Sequence, residues 1–126
     1  MHKSRLGCLV IDCKTDDLDQ DAKFWGSVFG ATVISRDNPE SENYRGLATD
    51  SDAPKILLQK VDHPSRIHLD IETDNIELEV KRLIKLGAKK VDDSHDWCVL
   101  EAPSGHRFCV VKKRRSDFES DAVEWD

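Results

Sequence analysis

Apolar residues follow a strand spacing, then a helix spacing, then a strand spacing again in the first half of the chain. Residues 5–13 form a short apolar run bounded by polar residues, which predicts a strand. From Leu18 to Phe29 an apolar residue recurs every three or four positions, which predicts the buried face of a helix that Gly30 ends. Three further strands are predicted at residues 31–35, 44–49 and 55–61.

The second half repeats this order of strand, helix and three strands. Residues 67–72 predict a strand, and a capping box of Asp74 and Glu77 predicts the start of a helix that Gly87 stops. The last three strands are predicted at residues 88–91, 97–101 and 107–112.

The two opening strands also match each other, with Cys8 corresponding to His68 and Asp12 to Glu72. Such an internal repeat predicts an α+β fold of two βαβββ modules, at about residues 5–61 and 66–113. An unrelated α+β domain with two similar helix ends is the alternative.

The composition is typical of one globular domain. The chain has 126 residues, of which 38% are hydrophobic and 35% charged, so it is large enough to bury a core without disulfides or a structural metal. We predict a domain over residues 1–115. A charged C-terminal tail, residues 116–126, is expected to lie outside the repeat and to be partly mobile.

Charge and cysteine usage restrict the partners and the compartment. A net charge of −6 argues against nucleic acid as a partner. No apolar run reaches the roughly 20 residues that span a bilayer, and no secretion signal is recognisable, which argues against a membrane partner and against export. The four cysteines show no CxxC spacing, which indicates reduced thiols and a cytoplasmic location.

Short sequence motifs mark the helix starts, the helix ends and the last turn. They are Asp17-Leu18, Phe24-Trp25, Val28-Phe29-Gly30, the run His68-Leu-Asp-Ile-Glu-Thr-Asp-Asn75, and Glu101-Ala-Pro-Ser-Gly-His106. In this order and spacing they resemble the vicinal-oxygen-chelate superfamily, which contains glyoxalases, bleomycin-resistance proteins and extradiol dioxygenases. The resemblance covers roughly residues 5–113. It implies a cup-shaped half-barrel sheet with helices on the outside, and a homodimer that covers the edge strands.

The resemblance also implies where a metal would bind. Carried over onto this chain, the metal-ligand positions of the superfamily are Cys8, Gln59, His68 and Cys109. Metal-dependent members usually carry a carboxylate at the second and fourth of these positions, so both expected carboxylates are missing. We therefore expect no metal. Were a divalent metal bound, two thiolates and an imidazole would favour zinc, with Gln59 a weak fourth ligand.

Strand alternation predicts which side chains line the expected cup. If Cys8 and His68 point inward, Asp12, Asp70 and Glu72 do so as well. The predicted ligand-binding residues are Asp12, Leu57, Gln59, His68, Trp97, Arg107 and Cys109. His68, Asp70 and Glu72 are the candidate catalytic residues, because neighbouring carboxylates and a histidine shift one another's pKa values. A solvated acidic rim without a catalytic role is the alternative.

Three functions are compatible with this sequence. The first is a protein that binds a small organic ligand without transforming it, and an acidic cup would suit a cationic ligand. The second is a lyase, isomerase or dioxygenase of the same superfamily, with or without a metal. The third is a dimer that uses the cup as its interface. The missing carboxylates weaken the metal-dependent enzyme most, so ligand binding is the favoured hypothesis.

Overall fold

The computed structural model describes residues 1–34, 42–50, 54–114 and 116–126. Its elements are β1 (His2–Cys13), α1 (Leu18–Phe29), β2 (Val33–Ile34), β3 (Tyr44–Leu47), β4 (Lys55–Lys60), β5 (Arg66–Thr73), α2 (Ile76–Lys85), β6 (Lys89–Asp92), β7 (Cys98–Glu101), β8 (Arg107–Lys112), α3 (Phe118–Asp121) and β9 (Val123–Trp125). Within these residues no helix is long and apolar enough to cross a bilayer.

The predicted α+β fold of two βαβββ modules is confirmed. The chain divides into two compact units, here called the first module (Cys8–Ile67) and the second module (Met1–Gly7 with His68–Asp126). In each module the opening strand pairs in parallel with the last strand: β1 lies beside β4, and β5 lies beside β8. The repeat extends to the register, because Leu9 lies opposite Ile56 and Leu69 lies opposite Phe108.

The first module packs α1 on one face of the strand order β2-β3-β4-β1. Asp17 caps the helix, since its carboxylate accepts the backbone N–H of Gln20 at 3.2 Å. Gly30 ends the helix in the left-handed conformation, at φ 65°, as the sequence predicts. The buried core of this module consists of Ile11, Cys13, Leu18, Ala22, Leu47 and Leu58.

The second module packs α2 on the strand order β5-β8-β7-β6. Its buried core is formed by Val80, Cys98, Leu100 and Val110. The predicted capping box is wrong by one residue. Asn75 caps α2 by accepting the backbone N–H of Leu78 at 3.0 Å, while Asp74 accepts the backbone N–H of Lys3 at 2.8 Å.

The C-terminal stretch contradicts the expectation of a partly mobile tail. Strand β9 pairs antiparallel with the start of β1, where Ser4 lies opposite Val123, and the Trp125 indole N–H donates to the Ser4 hydroxyl at 2.8 Å. Phe118 is 1% exposed. Two large aromatic side chains, Phe118 and Trp125, anchor the stretch. The predicted domain boundary, Arg115, lies outside the described residues.

Arg5 holds this stretch to the body of the second module. Its Nε donates to Glu72 Oε1 at 2.5 Å and its Nη2 donates to Asp117 Oδ1 at 2.7 Å, while the guanidinium lies 5.5 Å from the centre of the Phe118 ring. Burial would lower the pKa of Arg5, but the bonds to Asp117 and Glu72 outweigh it and leave this pKa raised. The arginine therefore stays charged and ties strand β5 to helix α3.

A second buried ionic network joins α2 to the two ends of the chain. Arg82 donates to both carboxylate oxygens of Glu79, at 2.7 and 2.9 Å, and the His2 ring lies 2.8 Å from the same carboxylate. The Arg82 guanidinium stacks 3.8 Å from the centre of the Trp125 ring. Burial would raise the pKa of Glu79, but hydrogen bonds from Arg82, His2 and Ser4 outweigh burial and leave this pKa lowered.

Removing residues 116–126 should lower the free energy of unfolding by at least about 3 kcal/mol, because a fully buried aromatic side chain is lost along with a strand. Urea unfolding followed by circular dichroism measures this change. The point variant Phe118→Ala should cost about 3–5 kcal/mol. The control Val123→Ala, in the same stretch but 51% exposed, should stay within about 0.5 kcal/mol of the wild type. A truncated chain as stable as the full one would contradict the packing of this stretch.

Stability should fall with acid partly through Glu79. Because the folded pKa of Glu79 lies below its ordinary value of 4.5, its contribution is fully present above that pH and is lost as the pH falls through the folded pKa. Unfolding free energies measured from about pH 6 down to about pH 3 should therefore decline less steeply in Glu79→Gln than in the wild type. Glu77→Gln, an exposed position on the same helix, is the control and should keep the wild-type slope. Equal slopes in Glu79→Gln and the wild type would contradict this role.

Candidate functional site

Three chemically different donor groups meet on one surface of the second module. A ring nitrogen of His68, a carboxylate oxygen of Asp70 and the Cys109 sulfur all lie within 4.8 Å of one another. His68 Nε2 is 3.3 Å from Asp70 Oδ1. These three residues are called the His68 cluster below.

Strand geometry brings the cluster together. His68 and Asp70 are two residues apart on β5 and therefore project from the same face. Cys109 lies directly opposite Asp70 in the parallel pair of β5 and β8. Neighbouring strands lie about 4.8 Å apart, so a side chain on β8 reaches the pair on β5 without any loop. The cluster therefore rests on paired backbone.

The cluster is partly shielded from water but remains accessible. The side chains of His68 and Asp70 are 13% and 12% exposed, and Cys109 is of intermediate burial. A carboxylate beside an imidazole fixes the orientation of the ring, and low exposure to water strengthens that interaction. The arrangement can hold a proton, donate a hydrogen bond to a ligand, or coordinate a cation.

Glu72, predicted as a third catalytic residue, contacts other groups. One of its oxygens accepts from Arg5 at 2.5 Å, and the other accepts the backbone N–H of Arg114 at 3.4 Å. Its side chain is 4% exposed. The carboxylate is thus engaged in holding the C-terminal stretch, and of the three predicted catalytic residues only His68 and Asp70 belong to the cluster.

The register of the first module changes how its metal-ligand positions are assigned. Cys8 lies opposite Lys55, whereas Gln59 lies opposite Asp12, four residues further along β1. At about 3.3 Å per residue these positions are roughly 13 Å apart along the strand, too far to share one ion. In the repeat, Val10 corresponds to Asp70. Val10 lies opposite Leu57 and Asp70 lies opposite Cys109, so Leu57 occupies the position in the first module that Cys109 occupies in the second.

The other predicted ligand-binding residues have contacts of their own within their modules. In the first module, Gln59 Nε2 donates to the Tyr44 hydroxyl at 3.3 Å. In the second module, Trp97 stacks on the His95 ring at 4.4 Å between ring centres, and Arg107 Nε lies 3.5 Å from Glu101 Oε1. Asp12 lines a cavity of the first module.

The hairpin of β7 and β8 places Cys98 and Cys109 on opposite faces of the sheet. The turn pairs Glu101 with Arg107, so Cys98 lies opposite Val110 and Cys109 lies opposite Val99. Because side chains alternate between faces, Cys98 enters the core under α2, whereas Cys109 faces Asp70. Both are free thiols, and burial raises the pKa of Cys98.

The sequence did not indicate Asp70 as a candidate metal-ligating residue, although strand alternation places it on the same face as His68. The signal that could have revealed it is the strand register. Leu69 lies opposite Phe108 as Leu9 lies opposite Ile56, so the next residue on β5, Asp70, lies opposite Cys109.

A family profile described as a glyoxalase-like domain matches residues 8–111, which cover the whole first module and most of the second. The chain belongs to this glyoxalase-like family. The family is part of the vicinal-oxygen-chelate superfamily, so the resemblance inferred from the sequence is confirmed. No curated protein sequence matches the chain significantly.

Solved structures share the fold at low sequence identity. A hypothetical protein of Bacillus halodurans is 12% identical, with a TM-score of 0.62, over 90% of this chain and 96% of its own. Methylmalonyl-CoA epimerase of Mycobacterium tuberculosis is 15% identical, with a TM-score of 0.58, over 87% and 88%. A Legionella pneumophila protein described as an NAD-dependent benzaldehyde dehydrogenase is 8% identical, with a TM-score of 0.64, over 85% and 98%. Proteins with such different names share this fold, so the fold alone does not indicate a function. The function of the glyoxalase-like chain must be argued from its own site residues.

Proposed function

We propose that this glyoxalase-like protein binds a small organic molecule at the His68 cluster. The observation that carries the proposal is the convergence of an imidazole, a carboxylate and a thiol within 4.8 Å on paired strands. Convergent polar groups on a rigid, partly shielded surface are what a small ligand needs for orientation.

His68 and Asp70 would orient such a ligand through hydrogen bonds. With Asp70 holding one side of the imidazole, the ring can donate to, or accept a proton from, a ligand atom. The pair is therefore able to act as a general base or acid, and a metal-independent lyase or isomerase is the enzymatic form of the proposal. Cys109 would line the same surface as a polarisable contact.

A metal-dependent form is the second candidate, and the donor set of the cluster favours it. Zinc takes nitrogen, oxygen and sulfur ligands at about 2.0–2.3 Å, which places neighbouring donors roughly 3.5 Å apart in a tetrahedron. The His68–Asp70 distance of 3.3 Å is close to this value, and all three donor atoms lie within 4.8 Å of one another. Asp70 thus provides a carboxylate that the positions carried over from the superfamily lack.

In that form His68, Asp70 and Cys109 would hold the ion and leave a fourth position open. When bound, zinc would supply a Lewis acid that polarises a ligand oxygen. The protein would contribute a fixed donor geometry and a partly dry surface. The substrate would then determine whether the activity is that of a lyase, an isomerase or a dioxygenase.

We also propose that the protein acts in the cytoplasm as a homodimer, in which a second copy covers exposed strand edges. Strands β2 and β6 each have only one neighbour in the strand order of the described residues.

Cobalt titration of metal-free protein distinguishes the cluster from the positions carried over from the superfamily. If the His68 cluster holds the ion, Co²⁺ should give a saturable absorption band of thiolate-bound metal in the wild type. Asp70→Asn and Cys109→Ser should each weaken the affinity by about tenfold or more. The matched controls Gln59→Ala and Cys8→Ser should bind Co²⁺ like the wild type, because the register keeps these residues from sharing an ion. Loss of binding in the controls alone would reject the cluster as the site, and absence of a band in the wild type would leave the metal-independent form.

Light scattering at micromolar concentration should return twice the mass of the 14.3 kDa chain. A monomer mass over the whole concentration range would reject the dimer and leave the ligand-binding proposal untouched.

A further inference from the structure

The first module contains a cavity that shares no residue with the His68 cluster. Its volume is about 330 Å³, which is within the usual size of a site for a small organic molecule. The lining comes from the end of β1 and the loop after it, from α1, and from Ser65 and the start of β5: Ile11, Asp12, Cys13, Lys14, Thr15, Asp21, Trp25, Ser65, Arg66 and Ile67.

The negative groups of this cavity belong to two different elements. Asp12, on β1, is 2% exposed, and its Oδ2 lies 3.6 Å from Arg66 Nε and 3.8 Å from His63 Nε2. Asp21, on α1, has a buried Oδ2 that accepts no hydrogen bond from the described residues. Burial raises the pKa of Cys13, and the charges of Asp21 and then Asp12 raise it further, so the thiol between them stays neutral.

A buried carboxylate oxygen without a donor is costly, and a ligand that brings an N–H group to it would offset that cost. Trp25 supplies an aromatic surface in the same cavity, and aromatic surfaces attract cations. Arg66 is 48% exposed, so solvent weakens its repulsion for a second cation without removing it.

We propose that this cavity binds a small organic ammonium ion, whose N–H groups donate to Asp21 while its apolar part contacts Trp25. A primary amine fits better than a quaternary one, because only the primary ammonium carries the N–H that Asp21 Oδ2 lacks. The site is additional to the ligand site proposed at the His68 cluster and does not rest on it.

Calorimetric titration with benzylammonium chloride tests the proposal, with benzyl alcohol as the neutral analogue of similar shape. The wild type should bind benzylammonium saturably and benzyl alcohol at least about tenfold more weakly, because a charge-assisted hydrogen bond is lost. Asp21→Asn should weaken benzylammonium binding by about tenfold. Asp16→Asn, an exposed position with the same change of net charge, should leave it unchanged.

The variant Arg66→Gln provides a test in the opposite direction and changes only a half-exposed side chain. It should tighten benzylammonium binding, because it removes a positive charge from the cavity, whereas Lys60→Gln, with the same change of net charge, should not. Any of three results would overturn the proposal: no saturable binding to the wild type, equal binding of benzyl alcohol, or equal effects of the two aspartate variants. Should Asp21→Asn fail to fold, the Arg66 pair and the neutral analogue still decide the question.

Discussion

Parallel pairing of the first and last strand in each module is the constraint on which the site depends. Backbone hydrogen bonds fix the register of β5 against β8, and that register alone sets Cys109 opposite Asp70. A slip of one residue would turn one of these side chains to the other face of the sheet and separate the cluster. The same register in the first module places leucine and valine at the corresponding positions, so the repeat preserves the backbone arrangement while the chemistry differs.

Much of the fold could be predicted from the sequence, because helix stripes and strand runs carry their own period. The two modules, both helices and the ends at Gly30 and Gly87 follow from local patterns that need no tertiary contact. The C-terminal stretch could not be predicted in this way. Its packing depends on Arg5, more than a hundred residues earlier, and on aromatic side chains whose burial has no periodic signal.

The candidate site was predictable only in part. Alternation along β5 correctly places His68 and Asp70 on one face, because a strand has a strict period of two. The partner on β8 depends on how many residues the intervening loops contain, which the pattern does not reveal. For this reason Gln59 was matched to Cys109 when the register assigns that place to Leu57. Glu72 shows the same limit, since its distant partner Arg5 determines its role.

The second module is assembled from two pieces of chain that lie far apart in sequence, Met1–Gly7 and His68–Asp126, whereas the first module is continuous. During synthesis the residues of the first module can therefore collapse as soon as Ile67 has left the ribosome. The start of β1 must wait for β9, because Ser4 finds its partner only after Val123 has been synthesised. Until then the segment before Cys8 exposes an unpaired strand edge, and a nascent chain at this stage is a natural substrate for chaperones.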